Sequence, residues 1–211
     1  KFKAAAYDCN IICAKAFNSL GYGYFSNILA AMQWISGIKE KHNIRVLMLP
    51  FGCCCTSKHF DILSLASATL CIISPGVCSS TFTAGACTDP GPSSKVAVYS
   101  GRGPVEGKYN KPDAVMPGYK VTTLNADTDY MPGIRLSSQS KLSGQQYTQI
   151  SGTSVAASLT AAAAVLLCQK KPELSPANIK CLLSRFCTSI NELKTAQGAG
   201  IIDIKKIEEY K

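Results

Sequence analysis

The sequence predicts an α/β fold built on a largely parallel sheet, and three observations carry that expectation. Apolar runs of strand length alternate with segments of helical period, and glycine and proline punctuate the junctions between them. Residues 153–168 are apolar almost all round, as in a buried helix at the centre of a fold. The 211 residues suffice for one domain with a sizeable core.

In chain order, residues 10–17 (NIICAKAF) read as a mostly buried strand that runs into the glycine-punctuated loop Gly21-Tyr22-Gly23-Tyr24. Ser26 is expected to cap a helix whose apolar positions Ile28, Leu29, Met32, Ile35 and Ile38 follow the helical period. Residues 44–49 form a second buried strand, ended by Pro50-Phe51-Gly52. A helix over 61–68 and a strand over 69–73 precede the turn Pro75-Gly76, with further strands over 80–86 and 95–99. Residues 101–133, rich in Gly and Pro, read as loop. After the apolar helix, Ser175-Pro176 caps and starts the next, and Asp203 opens a final amphipathic one.

The net charge of +9 raises the question of nucleic acid, but the lysines do not form a stripe. They stand in pairs such as Lys39 and Lys41, Lys170 and Lys171, Lys205 and Lys206, beside Glu40, Glu173 and Glu208 and without interleaved aromatics. That pattern is a solvated face, so no nucleic-acid partner is expected. No uninterrupted apolar run approaches the ~18 residues of a membrane span, the longest being residues 161–168, and no membrane partner is expected either. Lys1 reads as a processed or cut end without a leader. The eleven cysteines are odd in number and several lie in apolar runs, which favours reduced thiols and a cytoplasmic setting; Cys78 and Cys87 flank a strand and are the pair to examine for a bridge. No pair has zinc-knuckle or dithiol spacing, and adjacent Cys53, Cys54 and Cys55 cannot converge on one ion without strain. No metal site is expected; Asp127 and Asp129 are the nearest approach to a carboxylate cluster and read as a solvated loop.

The glycine signatures fail one by one. Gly21-Tyr22-Gly23 has Ser26 where a dinucleotide fingerprint needs its third glycine, and the Gly107-Lys108 pair lies one residue too far from Gly101 for a phosphate loop and is followed by Tyr109 in place of the Ser or Thr that would hold magnesium. Gly152-Thr153-Ser154 is followed by Ala156 where a hydrolase nucleophile elbow needs glycine. What remains is Ser151-Gly-Thr-Ser-Val-Ala-Ala-Ser158, a serine in the first turn of the apolar helix. There its hydroxyl meets the positive end of the helix dipole, and its unpaired N–H can donate to an oxyanion; a capping serine would look the same.

This segment resembles the serine motif of the subtilisin-like serine proteases, the subtilases, written Gly-Thr-Ser-Met-Ala-Ala-Pro. Further segments resemble the family in family order: Val98-Tyr-Ser-Gly-Arg-Gly-Pro104, Lys111-Pro-Asp-Ala-Val-Met-Pro-Gly118 and Gly198-Ala-Gly-Ile-Ile-Asp203, with Tyr7-Asp-Cys-Asn-Ile-Ile12 and Arg45-Val-Leu-Met-Leu-Pro-Phe-Gly52 upstream. The resemblance implies a three-layer α/β subtilisin-like fold, with residues 1–211 forming one partial domain that lacks its N-terminal part. It implies that Ser154 is the nucleophile and that its N–H serves the oxyanion. It also implies that an extended peptide or protein substrate lies between Gly21, Gly23 and the edge at Phe51 and Gly52. No cofactor is implied.

The departures concern chemistry. Subtilases present Asp, His and Ser in that chain order, and the Asp-Ser-Gly and His-Gly-Thr-His motifs both lie upstream of the segment that Lys1 matches. Neither His42 nor His59 is followed by Gly-Thr-His, and both are expected to be surface residues. Asp8 and Asp113 match non-catalytic positions. The family's oxyanion asparagine turn is missing, because Ile73 runs directly into Ser74-Pro-Gly-Val-Cys-Ser-Ser80, and Pro50 stands where the family has serine, removing a backbone donor. Two functions remain open. One is a serine endopeptidase domain whose acid and base come from an N-terminal segment, with this isolated chain inactive. The other is a non-catalytic subtilase scaffold serving as a binding or regulatory module. In either case, apolar surface left uncovered by the missing elements is expected to make the chain alone prone to association or dependent on a partner segment.

Overall fold

The computed structural model describes residues 4–52, 72–91, 93–105, 110–125 and 147–210. The expected helix over 61–68, most of the strand over 69–73, His59, Asp127 and Asp129 lie outside these.

A four-stranded sheet forms the centre. Strands β1 (Ala84–Cys87), β2 (Ala114–Pro117) and β6 (Ile201–Ile202) run parallel in the order β1-β2-β6, and β5 (Cys187–Thr188) joins antiparallel at the edge beside β6. A second, antiparallel pair is made by β3 (Val121–Leu124) and β4 (Tyr147–Ile150). Alternation along β1 and β2 sends side chains to two cores. Ala86, Ala114 and Met116 face the larger, with Ala156, Ala163 and Leu167 of helix α2 (Thr153–Lys170). Cys87 and Val115 face the smaller, with Val96 and with Ala196 of the short helix α4 (Lys194–Gln197). Helices α3 (Pro176–Arg185) and α5 (Ile204–Glu209) pack on α2. The architecture is α/β, with a mixed sheet that is mainly parallel.

Helix α2 is not buried all round. Its fully buried residues, Ala156, Thr160, Ala163, Ala164, Leu167 and Cys168, form one stripe, while Ser154 and Ser158 are exposed. Its 18 residues have a mean hydropathy of 1.3, long and apolar enough to cross a membrane by length and composition, which the reading from uninterrupted apolar runs did not register. Here small alanines let the helix lie closely on β1 and β2. The two capping expectations downstream hold: Ser175 Oγ accepts from Asn178 N at 3.2 Å, and Asp203 Oδ1 accepts from Lys205 N at 3.0 Å.

Upstream the strand expectations need correction. Residues 10–17 are extended but largely exposed and unpaired in any sheet among the described residues. Residues 44–49 are extended too, with Ile44, Val46 and Met48 turned inward, Arg45 and Leu47 exposed, and Val46 packed on the larger core. Both segments have strand patterning, and neither pairs with a neighbouring strand among the described residues. Helix α1 (Phe25–Ile38) forms as expected, but its N-cap is Tyr24 without a side-chain bond, so Ser26 lies inside the helix. None of its residues is buried; Ile28, Ile35 and Ile38 are half covered, whereas Leu29 and Trp34 are 62% and 51% exposed. Downstream, β2 and β3 fall within the expected loop 101–133, where flanking prolines hide them, and the strand expected over 95–99 reduces to one bridge between Val96 and Cys87.

The seven described cysteines are free thiols. Cys78 and Cys87 are not bridged: Cys78 is exposed with Sγ 3.0 Å from Ser80 Oγ, and Cys87 is sealed in the smaller core, where burial pushes its thiol up to about 11.

Candidate active site

Ser154 stands in the first turn of α2, exposed. The turn leading to it is held from outside the helix. Gly152 N donates to Gly118 O at 2.8 Å, and Lys120 N donates to Ser151 Oγ at 2.9 Å. The Gly152 carbonyl in turn accepts from Val155 N at 3.1 Å and Ala156 N at 3.4 Å, which starts the helix. The Ser154 amide, one of the four N–H groups a helix leaves without internal partners, makes no backbone bond among the described residues. Together with the helix dipole it presents a partial positive charge beside the hydroxyl.

The hydroxyl itself has a partner that sequence reasoning missed: Ser154 Oγ donates to Pro50 O at 3.0 Å across 104 residues of chain. Pro50 has no N–H to offer, but its carbonyl is free to accept. Next to it, the Phe51 ring meets Phe17, with centroids 5.1 Å apart and the planes tilted by 57°. Gly23 lies close to Phe17; a Cβ there would stand 2.8 Å from Ala16 O and 3.0 Å from the Phe17 ring. Gly21 has a φ of +81°, a turn conformation suited to glycine, and the loop is organised by Asn18, whose Oδ1 accepts from Leu20 N and Tyr22 N at 3.0 Å each. Gly52 packs under Ile73, whose side chain would lie 2.4 Å from an added Cβ, with Ser74 O at 3.0 Å. Ser154, Phe51, Gly52 and Gly23 are thus linked through Pro50 and Phe17 into one continuous edge. Gly21 sits in the same turn as Gly23 and, among the described residues, has no neighbour within 4 Å of an added Cβ.

No histidine or carboxylate touches the Ser154 hydroxyl among the described residues. His42 is exposed just beyond the end of α1, its amide bonded to Ile38 O at 3.1 Å. Asp113 is occupied elsewhere: its carboxylate accepts from Thr83 N and Lys111 Nζ at 2.6 Å each, and from Lys180 Nζ at 3.2 Å. This cluster ties the start of β2 to the approach to β1. No group of three or more potential metal ligands occurs among the described residues.

The model of the subtilase family, Peptidase S8, matches residues 64–200, more than half of the chain. The chain belongs to the subtilase family. Within it, this subtilase chain is 27% identical over 214 residues to the serine protease AprX of Bacillus subtilis (strain 168), a match that covers 87% of the chain and 47% of AprX. Among solved structures it resembles fervidolysin from Fervidobacterium pennivorans, described as a keratinolytic enzyme related to subtilisin. The TM-score is 0.52 at 20% identity, covering 65% of this chain and 20% of fervidolysin. A protease from Pseudoalteromonas arctica gives a TM-score of 0.50 at 24% identity, covering 64% and 37% of the two chains. These likenesses show the fold. The subtilase chain spans about half the length of the curated relative it matches, and less of the solved ones.

Proposed function

We propose that this chain is the nucleophile-bearing part of a subtilisin-like serine endopeptidase domain, residues 1–211 forming one partial domain with Ser154 as nucleophile. The observation that carries this reading is the Ser154–Pro50 hydrogen bond, which sets the hydroxyl at a helix N-terminus directly beside the Phe51–Gly52 edge. An extended peptide would lie between that edge and the Gly21–Gly23 loop, its acyl carbonyl over Ser154 with the Ser154 N–H facing the developing oxyanion. Ser154 Oγ would bond to the carbonyl carbon while its proton passes to a histidine base and then to the leaving amine. The acyl-enzyme would next be hydrolysed by water. A backbone carbonyl cannot take that proton, so Pro50 is no base, and the acid and base must come from a segment carrying the Asp and His-Gly-Thr-His motifs.

The isolated chain should then react slowly. Losing one oxyanion donor typically costs ~10²–10³ in turnover and losing the base about 10⁶, non-additively. The test is labelling by a serine-directed fluorophosphonate. The chain alone should show little labelling; supplied with the motif-bearing segment it should be labelled at Ser154 and cleave denatured protein, and Ser154→Ala should abolish both. Rapid labelling of the isolated chain, or none in the supplemented protein, would overturn the reading. The second outcome would favour a non-catalytic binding or regulatory module, a use that Pro50 and the missing asparagine turn also suit.

A further inference from the structure

We infer that Tyr99 is a positioning residue for Ser154, its phenol hydroxyl fixing the turn from which α2 starts. The hydroxyl donates to Gly118 O at 2.5 Å, and the same carbonyl accepts the Gly152 amide at 2.8 Å. Gly118 cannot move away from this junction. Its own N–H is bound to Cys87 O at 2.9 Å at the end of β1, and a Cβ at this position would stand 2.7 Å from Ala86 Cβ and 2.8 Å from Gly152 O. Tyr99 is held as firmly. Ala97 N donates to Ala86 O at 2.8 Å, and the neighbouring Ser100, fully buried, accepts from Ala86 N through its hydroxyl at 3.0 Å. The phenol therefore joins β1, the Gly118 junction and the Ser151–Gly152 turn at one point, two residues ahead of the serine.

A phenylalanine would fill the same space and make none of these bonds, so the hydroxyl is the informative atom. Acylation depends steeply on where the nucleophile stands, since a misplacement of an ångström can cost about 10²-fold. The inference rests on the reading of Ser154 as nucleophile for its consequence, and on geometry alone for the tie. Ionisation offers a direct handle, because a phenolate cannot donate to Gly118 O. Burial pushes the Tyr99 phenol above its ordinary value of 10.0, with hydrogen bonds from Ser151 and Gly152 pulling it back and Tyr119 and Cys87 adding to the rise. Lys120, whose ammonium lies 5.3 Å from the centre of the Tyr119 ring, is the nearby cation on the β3 side.

The experiment labels the glycine carbonyl carbons with ¹³C and follows Gly118 and Gly152 by carbon-detected NMR from about pH 8 to about pH 11.5, across the tyrosine range. Both resonances should move together with a midpoint above 10, and the step should vanish in Tyr99→Phe. The wild-type titration reads the tie even if the variant folds poorly. Absence of the common step in the wild type, or its persistence in Tyr99→Phe, would overturn the inference. In the protein supplied with the motif-bearing segment, Tyr99→Phe should slow fluorophosphonate labelling about tenfold, roughly one hydrogen bond's worth, with reversible binding unchanged. Equal rates at every pH would overturn the positioning role. A carbonyl step without any labelling of Ser154 would instead defeat the nucleophile reading and leave the tie standing.

Discussion

Replacing Asp113 by asparagine should destabilise the fold by about 3 kcal/mol, because it removes the charge that compensates a buried lysine. The Lys111 side chain is 3% exposed, and its ammonium lies 2.6 Å from Asp113 Oδ2. Breaking a buried pair typically costs 3–5 kcal/mol. The lower end applies, since Lys111 Nζ keeps Thr81 O at 2.8 Å and Thr83 Oγ1 at 3.1 Å as acceptors. Lys180, 29% exposed, keeps Ser79 O and Thr81 O. For a chain of this size the loss corresponds to a fall in Tm of about 6–12 °C. Urea denaturation at neutral pH would measure it directly. The sign of the pH dependence gives a second check. Burial holds the Lys111 pKa below 10.5 despite the raising effect of Asp113, and Lys180 lowers it further. Between that lowered folded value and 10.5 the unfolded chain binds more protons, so the Lys111 contribution makes stability rise with pH across that window. Removing the carboxylate lowers the folded pKa further, and the deficit of Asp113→Asn should therefore shrink as pH climbs towards 10.5. The double variant Lys111→Met/Asp113→Asn should recover most of the loss at neutral pH, having no uncompensated charge to bury. A cost below about 1 kcal/mol for the single variant, or a deficit that grows with alkalinity, would refute the reasoning.

Iodoacetamide footprinting should modify Cys9, Cys13, Cys78 and Cys181 in the native chain and spare Cys87, Cys168 and Cys187 until unfolding, burial having raised the last three thiols, Cys187 to about 12. Cys78, whose thiol is lowered by its hydrogen bonds to Ser80, should react fastest, and Ser80→Ala should slow it. Gly198→Ala should unfold the chain at lower urea by several kcal/mol: φ is +59° and an added Cβ would meet Pro112 O and Asp113 O at 2.3 Å. Gly52→Ala should cost less, about 1–3 kcal/mol, because the Ile73 side chain it meets can rotate. Trp34, the single tryptophan, should emit as a half-exposed indole at low concentration and shift to the blue as the chain associates through α1; invariant emission with a monomeric sedimentation profile would exclude that association.

Legibility divides along a physical line. Features carried by local chemistry read directly in the Ser175-Pro176 and Asp203 caps and in the serine at the head of α2, though not at Ser26, which lies inside α1. Features that require a partner did not. Residues 10–17 and 44–49 have strand composition, yet a strand is defined by its neighbours, and among the described residues these segments are extended, partly exposed and paired with none. Strand β2 was hidden for the opposite reason: Pro112 and Pro117 bracket it, and in a parallel pairing with β1 the prolines are tolerated at its ends. The tie between Tyr99 and Gly118 could not be read at all, since periodicity marks where a ring packs and says nothing of where its hydroxyl points.

The Ser154–Pro50 bond runs to a backbone carbonyl, an acceptor that any residue at position 50 would present. Substitution by proline at position 50 removes a donor from the proposed substrate edge, and no base stands at the serine among the described residues. The hydroxyl donates its hydrogen bond to the Pro50 carbonyl, which cannot take up the proton as a base would. A neutral bond of this kind has a net worth of about 0.5–1.5 kcal/mol, and less at an exposed site. A histidine brought to Ser154 would have to displace it, slowing the reaction by no more than about tenfold, against the ~10⁶ that a missing base costs. The bond therefore parks the nucleophile without locking it. On the proposed reading, supply of the base governs activity at this site, and Pro50 contributes only a small correction.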